Sequence, residues 1–124
     1  MTHKETSEVR TIGASGADSW TSKQINGKIL ALKFYVDASI DVKAVTSGCP
    51  VPEYVFGTSG AAITVASSAV YYPVIESVLG STGTTGSAEN KTNVFVQMAI
   101  SGTVTFTVTG TNTKLWQVEI IYED

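Results

Sequence analysis

A chain of 124 residues, 43% hydrophobic and 15% charged, suits one globular domain with its own core and excludes a disordered chain. The net charge is −3 and the eight lysines and arginines are scattered, which excludes the cation patch that nucleic-acid binding needs. No apolar run approaches the roughly 20 residues of a membrane span. "MTHKETSEVR" has no apolar stretch of the kind a cleavable export signal carries. A lone cysteine, Cys49, makes neither an intrachain disulfide nor a structural zinc site.

Taken in chain order, residues 1–27 are mostly polar and are expected to form an N-terminal arm, with a short strand near Glu8 to Ile12 and a turn at "GASGAD". Trp20 stands out in this arm; it either folds back on the domain or docks on a neighbour. The domain proper is expected over 28–124. "GKILALKFYV" at 27–36 is the first strand. A two-residue period places Leu30, Leu32, Phe34 and Val36 on one face and Ile29, Ala31, Lys33 and Tyr35 on the other. "DASID" makes a turn into "IDVKAV", where Ile40, Val42 and Ala44 alternate with Asp41 and Lys43.

Pro50 and Pro52 mark an irregular or edge segment, because proline cannot donate to a sheet ladder. "AAITVA" at 61–66 and "VYYPVIESVL" at 70–79 read as strands, the second demoted to an edge or bulged strand by Pro73. "GSTGTTGSAENKTN" at 80–93 is a flexible polar loop. "VFVQMAI" then places Val94, Val96, Met98 and Ile100 on one face, closed by "SG" at 101–102. In "TVTFTVT", Val104, Phe106 and Val108 oppose the threonines at 103, 105, 107 and 109. "LWQVEIIYE" offers Trp116, Val118, Ile120 and Tyr122 as its core face. These last three strands predict an antiparallel meander. The whole predicts an all-β protein of about eight strands, an antiparallel β-sandwich of jelly-roll type.

Candidate chemistry is sparse. His3 lies in the arm, without the fixed partner a catalytic histidine needs. Cys49 has no neighbouring base or cation in sequence to activate it. Asp37, Asp41 and Glu53 are read as solvated turn residues: "DASID" lacks the alternate oxygen ligands of a calcium loop, and nothing pairs two carboxylates across a cleft as a glycosidase requires. "GSTGTTGS" is followed by Ser87-Ala88-Glu89 where a phosphate loop carries lysine then serine or threonine. Asn90-Lys91-Thr92 spells a glycosylation acceptor, which matters only on a secretory route. Tyr54, Tyr71, Tyr72 and Trp20 form either a sugar-stacking or protein-contact surface or an ordinary set of strand-end aromatics. The expectation is no enzyme, no metal and no cofactor.

The order of features adds a resemblance. "INGKILALKFYV", "IDVKAVT", "VYYPVIES", a Gly/Thr loop and "NVFVQMAISGTVTFTVTG" together resemble small β-sandwich virion structural proteins of tailed viruses of bacteria and archaea. In that group a G-x-I strand leads to a "TDVTV"-like strand, and a "YYP" element precedes a Gly-rich loop. The resemblance spans residues 27 to 110, with "YYP" at 71–73 its distinctive motif; "KLWQVEIIYED" extends beyond it. It implies a decoration or cement protein, or a small tail or neck component, made in the host cytoplasm and located in the virion. Such a protein docks as a homo-oligomer on other virion proteins such as the major capsid protein, without binding nucleic acid or membrane. The competing reading is a carbohydrate- or receptor-binding module of a fibre or tail, with Trp20, Tyr71 and Tyr72 stacking on the ligand. A small hydrolase on a jelly roll fits poorly with the histidine and carboxylate inventory. Leu115 and Ile121, on the outward face of the last strand, are the remaining candidate contacts.

Overall fold

The computed structural model describes residues 1–47, 53–77 and 94–124. Cys49, Pro50, Pro52, the 80–93 loop and the Asn90-Lys91-Thr92 motif lie outside them. The described chain is all-β and its sheet pairings are antiparallel. Its twelve strands are β1 (Thr2–Thr6), β2 (Arg10–Thr11), β3 (Ala17–Thr21), β4 (Ile25–Val36), β5 (Ile40–Ser47), β6 (Tyr54–Phe56), β7 (Ile63–Val65), β8 (Ala69–Tyr71), β9 (Val74–Ser77), β10 (Val94–Gln97), β11 (Ala99–Gly110) and β12 (Leu115–Glu123). The excess over the expected eight comes from β1 and β3 in the N-terminal segment, from β6, and from the expected 70–79 strand being two pieces, β8 and β9, either side of Pro73.

Ten strands join one sheet, with β1-β12-β4-β11-β5-β6 as its main path. The sheet has two blocks of pairing. In one, β12 lies between β4 and the N-terminal strands β1 and β2, and β8 pairs the far side of β4. In the other, β11 lies between β5 and β3, and β5 carries β6 and β7 on its far side. The link is β11 itself, whose residues 99–102 pair with β4 and residues 103–110 with β5. The change falls at Gly102, whose φ is 145°, a conformation that residues with a Cβ rarely adopt. "SG" at 101–102 therefore does not close a strand, as expected, but is the point where one continuous strand changes partners.

The expected meander is also replaced. β11 and β12 follow each other, yet β11 pairs with β3, β4 and β5, and β12 with β1, β2 and β4. Residues 111–114 form an arch between the blocks, not a hairpin turn, with Thr113 at φ 72°. Residues 37–39 form a second arch, from β4 to β5. The two are tied where Asp37 Oδ1 accepts the Leu115 N–H at 2.8 Å and Asp37 N–H donates to the Leu115 carbonyl at 3.3 Å. Short-range alternation identifies strands but carries nothing about which strand pairs with which.

β4 departs from simple alternation. Ile121 pairs with Ala31 and Tyr122 with Ile29, so Leu30 is an extra residue on β4. Such a β-bulge shifts the phase of the side chains. Ile25 and Ile29 are buried before it and Leu32 and Phe34 after it. Leu30 is thus half-buried and off the core face, while Ile29 is fully buried, reversing the two residues' expected sides. The core draws on both blocks: Phe34 of β4 meets Phe106 of β11 edge-on, with centroids 6.1 Å apart, and Phe56 of β6 at 5.2 Å. β12 adds Trp116, Val118 and Ile120, all at most 1% exposed.

Residues 1–27, expected as an arm, supply β1 to β3 and the start of β4. β1 and β2 line the outer edge of β12, and β3 lines β11. Each attachment ends in a buried serine used the same way. Ser7 donates its N–H to the Val118 carbonyl and accepts the Val118 N–H on its hydroxyl, which donates to the Glu8 carbonyl. Fifteen residues on, Ser22 repeats this arrangement with Val104 and Lys23. Thr46, the third buried polar residue among those described, pairs likewise with Glu53 through its N–H and its hydroxyl. In each case a hydroxyl replaces a backbone carbonyl in the ladder, leaving no buried N–H without a partner. Ser7→Ala and Ser22→Ala should each lower the unfolding free energy by about 1–3 kcal/mol, because a buried N–H then loses its acceptor. As the two share no partner, urea titration of the double variant should give the sum.

Candidate functional site

Two grooves stand out among the described residues. The larger, about 360 Å³, opens between β6 and β7 on one side and β8 on the other. β6 positions Tyr54 and Phe56, β7 supplies Ile63, β8 supplies Tyr71, and Tyr72 and Met98 complete it. Its floor is buried: Phe56 is 5% and Met98 4% exposed. A second β-bulge makes that floor, since Ala44 pairs with Phe56 and Val45 with Tyr54, which turns Val55 and Phe56 both inward. Tyr71 packs edge-on against Phe56 at 4.9 Å and Phe34 at 5.9 Å. The rim is exposed, with Tyr72 at 71% and Tyr54 and Ile63 near two-fifths. Among the described residues every lining side chain is uncharged, and the polar groups are tyrosine hydroxyls and backbone. Chemically the cleft suits a neutral surface that packs against aromatic rings.

The smaller groove, about 170 Å³, lies at the other end of β8 and includes Val9, Tyr35, Ser68 and Leu115. The five residues expected to make contacts are therefore not brought together. Tyr71 and Tyr72 share the large cleft and Leu115 lines the small one. Trp20 folds back: it packs on the core beside Phe106, with centroids 5.9 Å apart. Ile121 is half-buried within the sheet between Lys4 of β1 and Ala31 of β4. Ile63, Phe56 and Met98 carried no sequence signal of the cleft, since they come from separate strands and meet only through non-local pairing.

Titratable groups serve the framework. His3 is not on a free arm; within β1 it stacks on Tyr122 at 5.2 Å, and its Nε2 lies 3.0 Å from Asp124 Oδ2. Asp41 accepts the Thr64 hydroxyl at 2.6 Å. No group of three or more His, Cys, Asp and Glu able to hold a metal ion occurs among the described residues. No helix long and apolar enough to cross a membrane occurs among the described residues.

The most connected charged cluster is a latch. Arg10 of β2 donates to both oxygens of Asp18 on β3, at 2.8 and 3.1 Å, and also contacts Glu8. Asp18 also accepts the Trp116 indole N–H at 2.9 Å. Arg10 first, and Trp116 in addition, hold the Asp18 carboxyl below the ordinary aspartate range. A carboxyl depressed in the folded state contributes stability that is fully present above its unfolded value and is lost as pH falls through the folded one, because the unfolded chain binds the proton first. Stability should therefore decline on acidification below the ordinary aspartate range. Asp18→Asn should lower it at neutral pH by about 1–3 kcal/mol and flatten that decline. An equal acid slope in both proteins would contradict the latch.

No protein-family model matches the chain, and no curated protein is detectably similar to it in sequence.

Proposed function

We propose that the chain is a non-enzymatic virion structural protein of decoration or cement type, which docks on a capsid or tail lattice as a homo-oligomer. The observation that carries this reading is the ribbon of β9 and β10. Among the described residues it forms a two-stranded sheet of its own, in register from Val74↔Gln97 to Ser77↔Val94, with no pairing to a strand of the ten-stranded sheet. An isolated two-stranded hairpin is marginal in water, so a ribbon of this kind gains most by lying on another surface. The body it leaves is held at every serine clip and at the latch, which suits a rigid lattice component. In this reading the two blocks are the layers of a jelly-roll-like β-sandwich, supported by the ring contacts of Phe34 with Phe56 and Phe106. The major capsid protein is the foremost partner, and the protein acts in the virion after synthesis in the host cytoplasm.

The test is sedimentation with particles assembled without the protein. Saturable co-pelleting is expected, and a chain that stays in the supernatant at every ratio overturns the reading. A carbohydrate- or receptor-binding module is the second reading, favoured by Tyr54, Tyr71 and Tyr72 in one cleft. It requires glycan-array binding that is lost in Tyr72→Ala.

A further inference from the structure

We propose that Asn26 is a site of spontaneous covalent modification, where the chain converts its own Asn26-Gly27 link to isoaspartate and so loosens the junction between the two blocks of the sheet. The inference stands apart from the assembly reading, since it needs neither a partner nor a particle.

Of the four asparagines in the chain, Asn26 alone precedes glycine. The nucleophile in this reaction is the next residue's backbone nitrogen, and a glycine, lacking Cβ, leaves that nitrogen least hindered and freest to turn. Asn26 is also exposed, so water reaches it. A bond forms between the Gly27 nitrogen and Asn26 Cγ, the Cγ–Nδ2 bond breaks, and Nδ2 leaves as ammonia with the Gly27 amide proton. Water then opens the cyclic imide. Attack at the Asn26 main-chain carbonyl gives isoaspartate, and attack at Cγ gives aspartate. No oxidant or reductant enters.

The fold meters the reaction. Asn26 and Gly27 lie in the ladder opposite Ser101 and Ile100, and an extended, paired backbone holds the nitrogen away from the side-chain carbon. Conversion therefore proceeds from the locally opened pair. The opening required is small: β4 meets β11 only over 25–28 with 99–102, and Asn26, Lys28, Ala99 and Ser101 are exposed. The product does not close as before. Isoaspartate adds one carbon to the main chain directly before Gly27, where the Glu123 carbonyl leaves no room even for a Cβ. It also displaces the side-chain oxygen that accepts the Ser101 hydroxyl at 2.8 Å and the Gln24 amide at 3.1 Å. Strand register is set in whole residues, so Ile25↔Gly102 and Gly27↔Ile100 can no longer both be kept.

Peptide mapping of the whole chain, aged at mildly alkaline pH, tests this. Trypsin releases residues 24–28 as one peptide. In the folded chain that peptide should gain the amide-to-acid mass increase, and label with an isoaspartyl methyltransferase, several-fold sooner than the peptide holding Asn112. The rate should rise with hydroxide, because the attacking nitrogen must lose its proton, and rise again on unfolding in guanidinium chloride. Asn26→Gln should abolish the label on that peptide. The purified isoaspartyl product should melt below the unaged chain and exchange amides faster at 25–28 and 99–102. Asn26→Asp, which brings the charge without the extra carbon, should melt close to the parent. A folded chain whose Asn26 stays intact while the unfolded chain converts, or an Asn112 that reacts first, overturns the proposal. So does an isoaspartyl product whose melting and exchange match those of the unaged chain.

Discussion

Phe34→Ala is expected to lower the unfolding free energy by about 3–5 kcal/mol, the range for removing a large buried ring from a core that cannot collapse around the void. Phe34 is fully buried near the C-terminal end of β4. Its ring touches Phe56, Tyr71 and Phe106, which belong to three other strands in both blocks of the sheet. Each of those strands is fixed by its own backbone pairing, so none can close the gap alone. Urea denaturation should show a lower midpoint at unchanged slope. Phe34→Leu, which keeps most of the volume, should cost much less, within about 1.5 kcal/mol. A cost below about 1 kcal/mol for the alanine variant would mean that the blocks do not share this core.

Gly27→Ala should be nearly as damaging, for a backbone reason. Gly27 sits at φ 152°, and a Cβ there would lie 2.2 Å from the Glu123 carbonyl oxygen and 2.8 Å from its carbon. The obstructing atoms are main chain, so no rotamer relieves the clash; the end of β12 has to lift from β4, breaking the Glu123↔Lys28 pairing. Backbone strain and overpacking together predict a loss of about 2–6 kcal/mol. Amide exchange should rise first where β4 and β12 pair beyond the Leu30 bulge. Gly60→Ala, with nothing within 4 Å of the new methyl group, is the matched control and should stay within about 0.5 kcal/mol of the parent.

The sequence was informative wherever alternation and burial coincide. Val104, Phe106 and Val108 are 0% exposed and the four threonines between and beside them face out, as a period of two requires. Ile40, Val42 and Ala44 behave likewise. Prediction failed where one residue changes the phase, as Leu30 does, or where a glycine serves a partner change and not a turn, as Gly102 does. It failed at "THKET" because an edge strand bonded along one side needs no apolar face to be held. The candidate site was half legible. Tyrosines are conspicuous in a sequence with few aromatics, but separating Trp20 from Tyr71 and Tyr72 needed the pairing of β3 with β11 and of β8 with β4, which no local pattern contains.

The placement of β4 sets the order of events during synthesis. Two of its three partners, β11 and β12, are encoded about 70 to 95 residues later, and β1 also waits for β12. With β11 and β12 still inside the ribosome, β4 has only the short pairing with β8 open to it, and the edge that β12 covers is unpaired, with the apolar residues of "ILALKF" in water. Closing so large a loop before any contact rewards it is slow. The interval before β12 arrives is therefore the period in which this chain depends most on a chaperone, and a codon change that slows translation between β5 and β11 lengthens it.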